Sequence, residues 1–576
     1  MQNIENIRHS LAHLLAAAVL KKFPKAKLGI GPTIENGFYY DFLLPRALTP
    51  DDLKEFEKTM RELIKQKLPF SGKKLTLAEA KKIFKNQPFK LDLIKEFVKE
   101  KQTLSIYRTG DVFSDLCRGG HVKNTKEIPI DGFKLDKIAG AYWRGSEKNE
   151  MLTRIYGLAF NTKKELDKYL AMVEEAKKRD HKVLGPQLEL FMTHETAPGM
   201  PYWLPKGMII MNELIDFWRK EHGERGYQEI SSPLVNKKEL WQTSGHWEHF
   251  KDDMFIADMG KNEVYGVKPM NCPNAMIVFG SKSRSYKELP LRLSDTDILH
   301  RYERSGTLNG LFRVRSFRQD DSHNFVTESQ IEKECADILD IADRFYGIFN
   351  LKYTLRLSTK PKKFMGDVKT WNKAETSLKK VLDNKVGKNK YIILEGEGAF
   401  YGPKIDILMK DSLGREWQMG TIQLDFQQPR RFNLAYTDKD GKKKTPVVIH
   451  RVIYGSLDRF IGILIEHFAG AFPVWLSPIQ VKIIPVGKAH RPTAEKILSI
   501  LNKNNIRAEI SGEHETVGKN IREGELQKIP YLLVVGDKEV KAGTVNVRER
   551  HKEQTKEMTT EDFIERIKKE ITERKL

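Results

Sequence analysis

His9 and His13 are four residues apart, a spacing that puts two imidazoles on one face of a helix, and Cys117-Arg-Gly-Gly-His121 offers a thiol and a third imidazole. Such a set reads either as a His₃Cys zinc site or as scattered functional and structural residues. Cys272, His323 and His450 lie far apart in the chain, and on spacing alone one buried thiol and two ordinary histidines are the commoner outcome than a metal site. Residues 301–323, RYERSGTLNGLFRVRSFRQDDSH, interleave arginines 301, 304, 313, 315 and 318 with Glu303, Phe312 and Phe317. Guanidinium forks suit phosphate oxygens and an aromatic face suits a stacked base, but a basic RNA-binding hairpin uses the same residues. In GSLDRFIGILIEHF, residues 455–468, Arg459 falls in the first turn of a helical stripe. A cation there opposes the helix dipole, so it points either to a phosphate ligand or to an Arg paired with Asp458 or another carboxylate.

These groups need elements to hold them. Ile4, Ile7, Leu11, Leu14, Leu15 and Ala18 repeat at helical spacing and predict an amphipathic helix carrying both histidines. LGIGPTIENGFYYDF reads as strand and turn, and the lysine-rich stretch 54–101 as helices with a solvated or RNA-facing surface. Leu166, Leu170, Val173 and Ala176 share one face of a linker helix that the Gly185-Pro186 pair should stop. YIILEG, KIDILM and VVIHRVIYG read as strands joined by antiparallel hairpins, whereas the last hundred residues alternate strand and helix and predict a largely parallel sheet.

Lys and Arg outnumber Asp and Glu by 99 to 78, a net +21 over 576 residues, which points to a polyanionic partner, nucleic acid first. The length suits several domains. Three cysteines at wide separation argue against a disulfide framework and for a reducing, cytoplasmic setting. The apolar run 11–20 is broken by His13 and followed at once by Lys21-Lys22, so it is read as neither a signal peptide nor a membrane span. No P-loop, Rossmann or nucleophile-elbow pattern occurs.

Arg301-Tyr-Glu303 with Arg313 and Phe317 resembles motif 2 of the class II aminoacyl-tRNA synthetases, GSLDRF resembles motif 3, and GYQEISSPLV with Pro233 resembles motif 1. Together with TSGHWEHFKDDMF, VKPMNCP, LRLSDTDILHRYE, FRQDDSH, GEGAFYGPKID and WQMGTIQLDF, the set is similar, nearly end to end, to the threonyl-tRNA synthetase family. The resemblance implies a multidomain α+β and α/β protein. It would comprise an N-terminal α+β editing domain (1–155), a linker helix (156–185), a class II antiparallel-sheet catalytic domain (186–476) and an α/β anticodon-binding domain (477–576). It also implies a form without the small ubiquitin-like domain that most bacterial relatives carry first.

The resemblance assigns roles too. Arg301 would hold the ATP α-phosphate, Glu303 the adenine amino group and Phe317 the base; Gln418 would join the ATP site, Arg459 would close its opposite face and Arg313 would neutralise phosphate charge. Cys272, His323 and His450 align with the family's zinc ligands, one Zn²⁺ per subunit, and Mg²⁺ would come with ATP. Met270, Gln319, Asp321, Tyr401 and Gln423 would contact threonine. His9, His13, Asp115, Cys117 and His121 would serve deacylation of mischarged tRNA, with or without a metal. Glu539 and Arg548 would read the anticodon. The implied partners are tRNA(Thr), ATP, L-threonine and a second copy in a homodimer built through motif 1, with no membrane. Four features depart from the family pattern: Asn274-Ala275 where Gly-His is usual, Asp295 for Glu, Asp297 for Gly and Ser316 for Gly. The competing readings are a synthetase-like RNA-binding or regulatory protein, which has no need of both an ATP clamp and a metal, and a zinc hydrolase, which leaves the centre of the chain unexplained.

Overall fold

A computed structural model describes residues 3–412, 414–512, 515–552 and 554–576. The chain forms two compact units, Met1–Glu174 and Glu175–Leu576. In the first, strands Lys27–Leu28, Gly37–Leu43, Met151–Ala159 and Phe133–Tyr142 make an antiparallel sheet. The helix Ile4–Lys22 joins its core, and Asn3 caps it through a side chain that accepts from the Glu5 amide. That helix is buried nearly all round from Ile7 to Val19, Arg8, Ser10 and His13 included, instead of showing the wet face its periodicity predicts. Its alanines explain the difference, because small side chains let neighbouring elements close over the second face. A second sheet of strands Phe70–Lys74, Ser105–Thr109 and Phe113–Leu116 carries Asp115, and Cys117 follows directly.

In the second unit a nine-stranded sheet runs, in spatial order, through strands Tyr227–Glu229, Leu291–Asp295, Ser316–Val326, Val447–Ser456, Glu416–Asp425, Lys404–Lys410, Thr354–Ser358 and Ile392–Leu394, with Ile298–His300 added to Ser316–Val326. Every pairing is antiparallel except those of the two outermost strands. Side chains alternate across a strand, so Gln319, Asp321 and His323 share one face with His450, Val452 and Gln423, while Asp320, Ser322, Asn324 and Arg451 share the other. Helices Pro205–Gly223 and Ile331–Gly347 cover that second face: His222 meets Arg451, and Asn324 donates to Glu334 and Tyr227. One face of the sheet is therefore dry, and the other stays open for chemistry.

The C-terminal sheet corrects the expectation of a largely parallel one. Val481–Pro485 pairs in parallel with Ala508–Ile510 and Tyr531–Val535, but Thr544–Glu549 and Thr555–Thr559 are antiparallel. The connections into these last strands, 536–543 and 550–554, are shorter than the roughly dozen residues a parallel crossover needs. The linker also breaks differently. The helix Lys163–Arg179 ends before Asp180, whose carboxylate accepts the Lys182 amide at 2.9 Å and starts a new helix, His181–Gln187, that contains both Gly185 and Pro186. No helix among the described residues is long and apolar enough to cross a membrane.

Candidate active site and editing cluster

Two clefts lie side by side on the open face of the large sheet. One, of about 460 Å³, is lined by Arg301, Glu303, Arg313, Phe317, Trp417, Gln418 and Arg459 among others. The second, of about 340 Å³, holds Met270, Cys272, Asp321, His323, Tyr401, Gln423 and His450. Arg301, Gln319, Gln418, Thr421 and Val452 belong to both. Most of the expected nucleotide and amino-acid residues thus sort into separate hollows, which adjoin at these five residues, Arg301, Gln319 and Gln418 among them.

Three guanidinium groups, of Arg301, Arg313 and Arg459, line the larger cleft together with the carboxylates of Glu303 and Glu416. Arg459 follows the N-cap Ser456, whose hydroxyl accepts the Arg459 amide at 3.2 Å. Its Nε donates to the Phe312 carbonyl and its Nη1 to the Gln418 carbonyl, both at 2.7 Å. Burial, then Arg313 and Arg301, pull its pKa down to about 10. Asp458 is not its partner: that carboxylate accepts from Trp203 Nε1 at 3.0 Å and from the Arg318 amide at 2.9 Å. Among the described residues Arg459 thus bonds to backbone carbonyls and not to Asp458. Arg301 donates to the Pro269 carbonyl at 3.2 Å and lies 5.2 Å from the Phe317 ring, and Arg313 approaches Glu303 at 3.9 Å.

Opposite Asp320, the strand Val447–Ser456 bulges. Gln319 pairs with Ser456 and Asp321 with Val452, so three residues stand against one. The buried Asp320 carboxylate fills the bulge, accepting the amides of Ile453 at 3.0 Å and Gly455 at 2.9 Å. Gly455 sits in the left-handed region with φ +73°, and a Cβ there would come 2.2 Å from the Met419 carbonyl oxygen. The bulge re-aims the chain into the helix that carries Arg459.

In the smaller cleft, ligand atoms of Cys272, His323 and His450 lie within 4.8 Å of one another, and all three residues are buried. His450 Nε2 is held by Asp425 Oδ2 at 3.0 Å, the outer-carboxylate arrangement that orients metal-bound imidazoles. His323 Nδ1 is buried and has no hydrogen-bond partner among the described residues. The Cys272 thiol lies 3.9 Å from His246 Nε2 and from Gln428 Nε2. Burial raises that thiol, and then Asp321 and Asp425 raise it further. An orphaned imidazole nitrogen, a loosely held thiol and two flanking carboxylates fit a Zn²⁺ ion. Asp321 accepts from Asn271 at 3.3 Å and is pushed up to about 6, chiefly by burial. Tyr401 donates to Gln423, placing both beside His450. Met270 Sδ is 3.0 Å from His246 Nε2.

His246 was not singled out by the sequence. It reaches the site from the TSGHW turn, pinned by Ser244 at 2.7 Å and held neutral, its pKa lowered to about 3 mainly by burial. One departure from the family pattern also finds its place. Asp297 accepts from Lys268 Nζ at 2.6 Å and from the Ser231 hydroxyl and Ser232 amide at 2.9 Å, tying the SSP segment to the chain leading into Cys272. Asn274 and Ala275 are buried in the first turn of the helix Cys272–Gly280. Asp295 lies opposite Asp321 on the neighbouring strand.

In the first unit His9, His13, Cys117 and His121 converge within the same 4.8 Å span. Cys117 Sγ is 3.2 Å from His121 Nε2 and 3.5 Å from His9 Nε2, and the His9 and His121 rings stack at 4.2 Å. Gly119 and Gly120 make the turn possible, with φ of +98° and +87°; a Cβ on Gly119 would strike the Tyr107 hydroxyl at 2.4 Å. Burial keeps the three imidazoles neutral and pushes the thiol up to about 11. Asp115 lies beneath the cluster, bonded to Lys90 Nζ at 2.7 Å and to the Tyr40 hydroxyl. Neither Lys90 nor Tyr40 was singled out by the sequence. Lys90 is only 2 % exposed, although it belongs to the lysine-rich stretch read as surface.

Glu539 caps its own helix by accepting the Gly536 amide at 2.9 Å, and Arg548 pairs with Glu525 at 2.9 Å on the wall of a separate 370 Å³ hollow. The two are half-buried, and each has a partner within its own domain.

Three family models match the chain: the tRNA synthetase class II core domain (G, H, P, S and T) over residues 255–468, the anticodon binding domain over 480–570, and the threonyl and alanyl tRNA synthetase second additional domain over 104–156. A threonine–tRNA ligase of Thermotoga neapolitana is 51% identical over 576 residues, covering 99% of this chain and 89% of the relative. One from Caldanaerobacter subterraneus subsp. tengcongensis is 49% identical over 570 residues, with 99% and 87% covered. Among solved structures, the RNA binding domain of threonyl-tRNA synthetase from Cryptosporidium parvum Iowa II is 40% identical with a TM-score of 0.65, covering 68% of this chain and 98% of that one. A prolyl-tRNA synthetase from Cryptosporidium parvum, 16% identical with a TM-score of 0.53 over 68% of this chain and 75% of its own, shares the fold.

Proposed function

The chain belongs to the threonine–tRNA ligase family of class II aminoacyl-tRNA synthetases, and we propose that it activates L-threonine with ATP in the paired clefts, transfers it to tRNA(Thr), and clears mischarged seryl-tRNA(Thr) in its first unit. The carrying observation is that the two clefts share Arg301 and Gln319. An attacking carboxylate in one hollow and an α-phosphorus in the other would meet there. Adenine stacks on Phe317 with its amino group toward Glu303. Arg301 holds the α-phosphate, while Arg459, Arg313 and Gln418 line the nucleotide's other contacts. The threonine carboxylate oxygen attacks phosphorus as the bond to pyrophosphate breaks, and the guanidinium groups stabilise the charge that shifts onto the phosphate oxygens. Mg²⁺ accompanies the ATP triphosphate.

Cys272, His323 and His450 would hold one Zn²⁺, which when bound supplies a Lewis-acid site for the amino group and hydroxyl of threonine. Asp321 accepts the hydroxyl proton, and Met270, Gln319, Tyr401 and Gln423 orient the rest. Valine lacks the hydroxyl and is excluded by this chemistry. Serine has it, and its missing methyl is worth only about 1–3 kcal/mol. A second, hydrolytic site follows from that shortfall. His9, His13, Cys117 and His121, with Asp115 set by Lys90 and Tyr40, are assigned to hold water against the seryl ester.

Glu539 and Arg548 are assigned to unpaired anticodon bases, Arg548 exchanging Glu525 for RNA. Homodimerisation through the segment around Pro233 is supported by the exposure of Leu234 and Val235 beside it, at 41 % and 49 %. Residues 1–155, 156–185, 186–476 and 477–576 are assigned as editing, linker, catalytic and anticodon segments of a cytoplasmic enzyme. Threonine-dependent exchange of pyrophosphate into ATP is the direct test: a purified chain that exchanges no label with threonine present is not this enzyme.

A further inference from the structure

A third grouping with ligand-like atoms within 4.8 Å of one another consists of Asp180, His181 and Glu466, and its imidazole is already committed on both sides. His181 Nε2 accepts the Leu311 amide at 3.0 Å, so that nitrogen carries no proton. Nδ1 therefore carries it and donates to Glu466 Oε1 at 2.8 Å. Glu466 spends its other oxygen on the Ser412 hydroxyl at 2.6 Å. The ring is 1 % exposed and lies 4.2 Å from Phe312. Gly310, at φ +50°, leaves it room: a Cβ there would come 2.3 Å from His181 Nε2. With no free lone pair, this imidazole is not a metal ligand. It is instead a strut under the turn 309–313.

Phe312 carries the contact onward to the nucleotide cleft. Its carbonyl accepts Arg459 Nε at 2.7 Å, and its ring lies 4.9 Å from Trp417, over which the Arg459 guanidinium sits at 5.5 Å. We propose that His181 is a positioning residue for ATP, fixing the turn 309–313 so that the Phe312 carbonyl holds Arg459 toward the nucleotide. The proposal rests on the adenylation reading above. It makes the segment just after the connecting helix a working part of a site whose other members lie at least 120 residues downstream. The post requires an acceptor on one side and a donor on the other, which a neutral imidazole supplies rigidly. Glutamine is the nearest substitute, since its amide also offers both. Phenylalanine would keep the contact with Phe312 but leave the Leu311 amide and the Glu466 carboxylate buried without this partner.

The test is pyrophosphate exchange by the full chain with ATP and threonine varied separately. His181→Phe is expected to raise the KM for ATP about tenfold and leave that for threonine within about twofold, while His181→Gln brings the ATP value back to within about threefold of the parent. Hydrogen exchange at the Leu311 amide should speed up in the Phe variant. An ATP KM within twofold of the parent, an equal rise in both KM values, or a Gln variant as defective as Phe would overturn the proposal. If the Phe variant is insoluble, Gly310→Ala, whose methyl displaces the ring, must give the same split, and an unchanged ATP KM in that variant overturns it equally. A parent chain with no threonine-dependent exchange would remove the adenylation reading itself, a distinguishable result.

Discussion

In the first unit Asp115, whose charge acts on the Cys117 thiol, is matched by Lys90 at 2.7 Å, whereas in the central cleft Asp321 and Asp425 act on the Cys272 thiol and bond to Asn271 and His450. Both places gather cysteine and histidine within the same span. They differ in what charge they will accept. In the central site Asp321 and Asp425 add to burial in raising the Cys272 thiol, while in the first the Asp115 carboxylate is already bonded to Lys90 and the Cys117 thiol is raised mainly by burial. Donor type and spacing alone make the two look alike. On the proposed reading, the neighbouring groups suit a metal at the central cluster and water at the other.

The comparison can be tested at decreasing effect size. Cys272→Ser should lower threonine-dependent pyrophosphate exchange on the order of 100-fold or more, because a hydroxyl is a poor substitute for a soft thiolate, and Cys117→Ser should leave exchange unchanged. Equal losses would mean the two clusters are not functionally separate. The converse is a His9→Ala, His13→Ala double variant, which should activate threonine normally yet deacylate seryl-tRNA roughly 100-fold more slowly, the scale of a lost general acid–base group. Deacylation at the parent rate would make the histidines structural.

Metal analysis sharpens the electrostatic point: about one zinc per chain is expected, retained by Cys117→Ser, and two per chain would contradict it. Asp425→Asn, which spares every ligand but loosens His450, should weaken zinc binding by about 10- to 100-fold in a chelator competition. The smallest effect concerns acid. Burial lowers the folded pKa of His9, His13 and His121, so below about pH 6.5 the unfolded chain takes up more protons than the folded one. Stability of the first unit is thus full above that pH and falls as the pH drops below it. A thermal transition of that unit unmoved between pH 7.5 and 5.5 would show that the histidines are accessible.

The sequence made the arginine cluster legible because its chemistry is written locally: a cation in a helix's first turn is anomalous without an anion, and Arg459 is found aimed into a cleft with Arg301 and Arg313. Residues that act through tertiary neighbours left no such trace. Lys90 reads as one more lysine in a charged run until the fold buries it against Asp115. His181 looks like an ordinary linker residue, and Gly185-Pro186 like a stop, because Asp180 ends the first helix and begins another. The first helix is covered on both faces by elements distant in the chain, which no periodicity records. The C-terminal strands switch direction for a similar reason: connection length, not strand composition, decided their pairing.

Arg301, Gln319, Gln418, Thr421 and Val452 line both clefts, so a single small molecule can reach into both hollows at once. Joining an amino-acid-like head to a nucleoside through a short, unreactive bridge turns the second docking event into an intramolecular one. Such a ligand would gain on the order of 10²–10⁴ over either half alone. Selectivity could then be tuned at one end without disturbing the other, since Tyr401 and Gln423 line only the smaller hollow, and Trp417 and Arg459 only the larger.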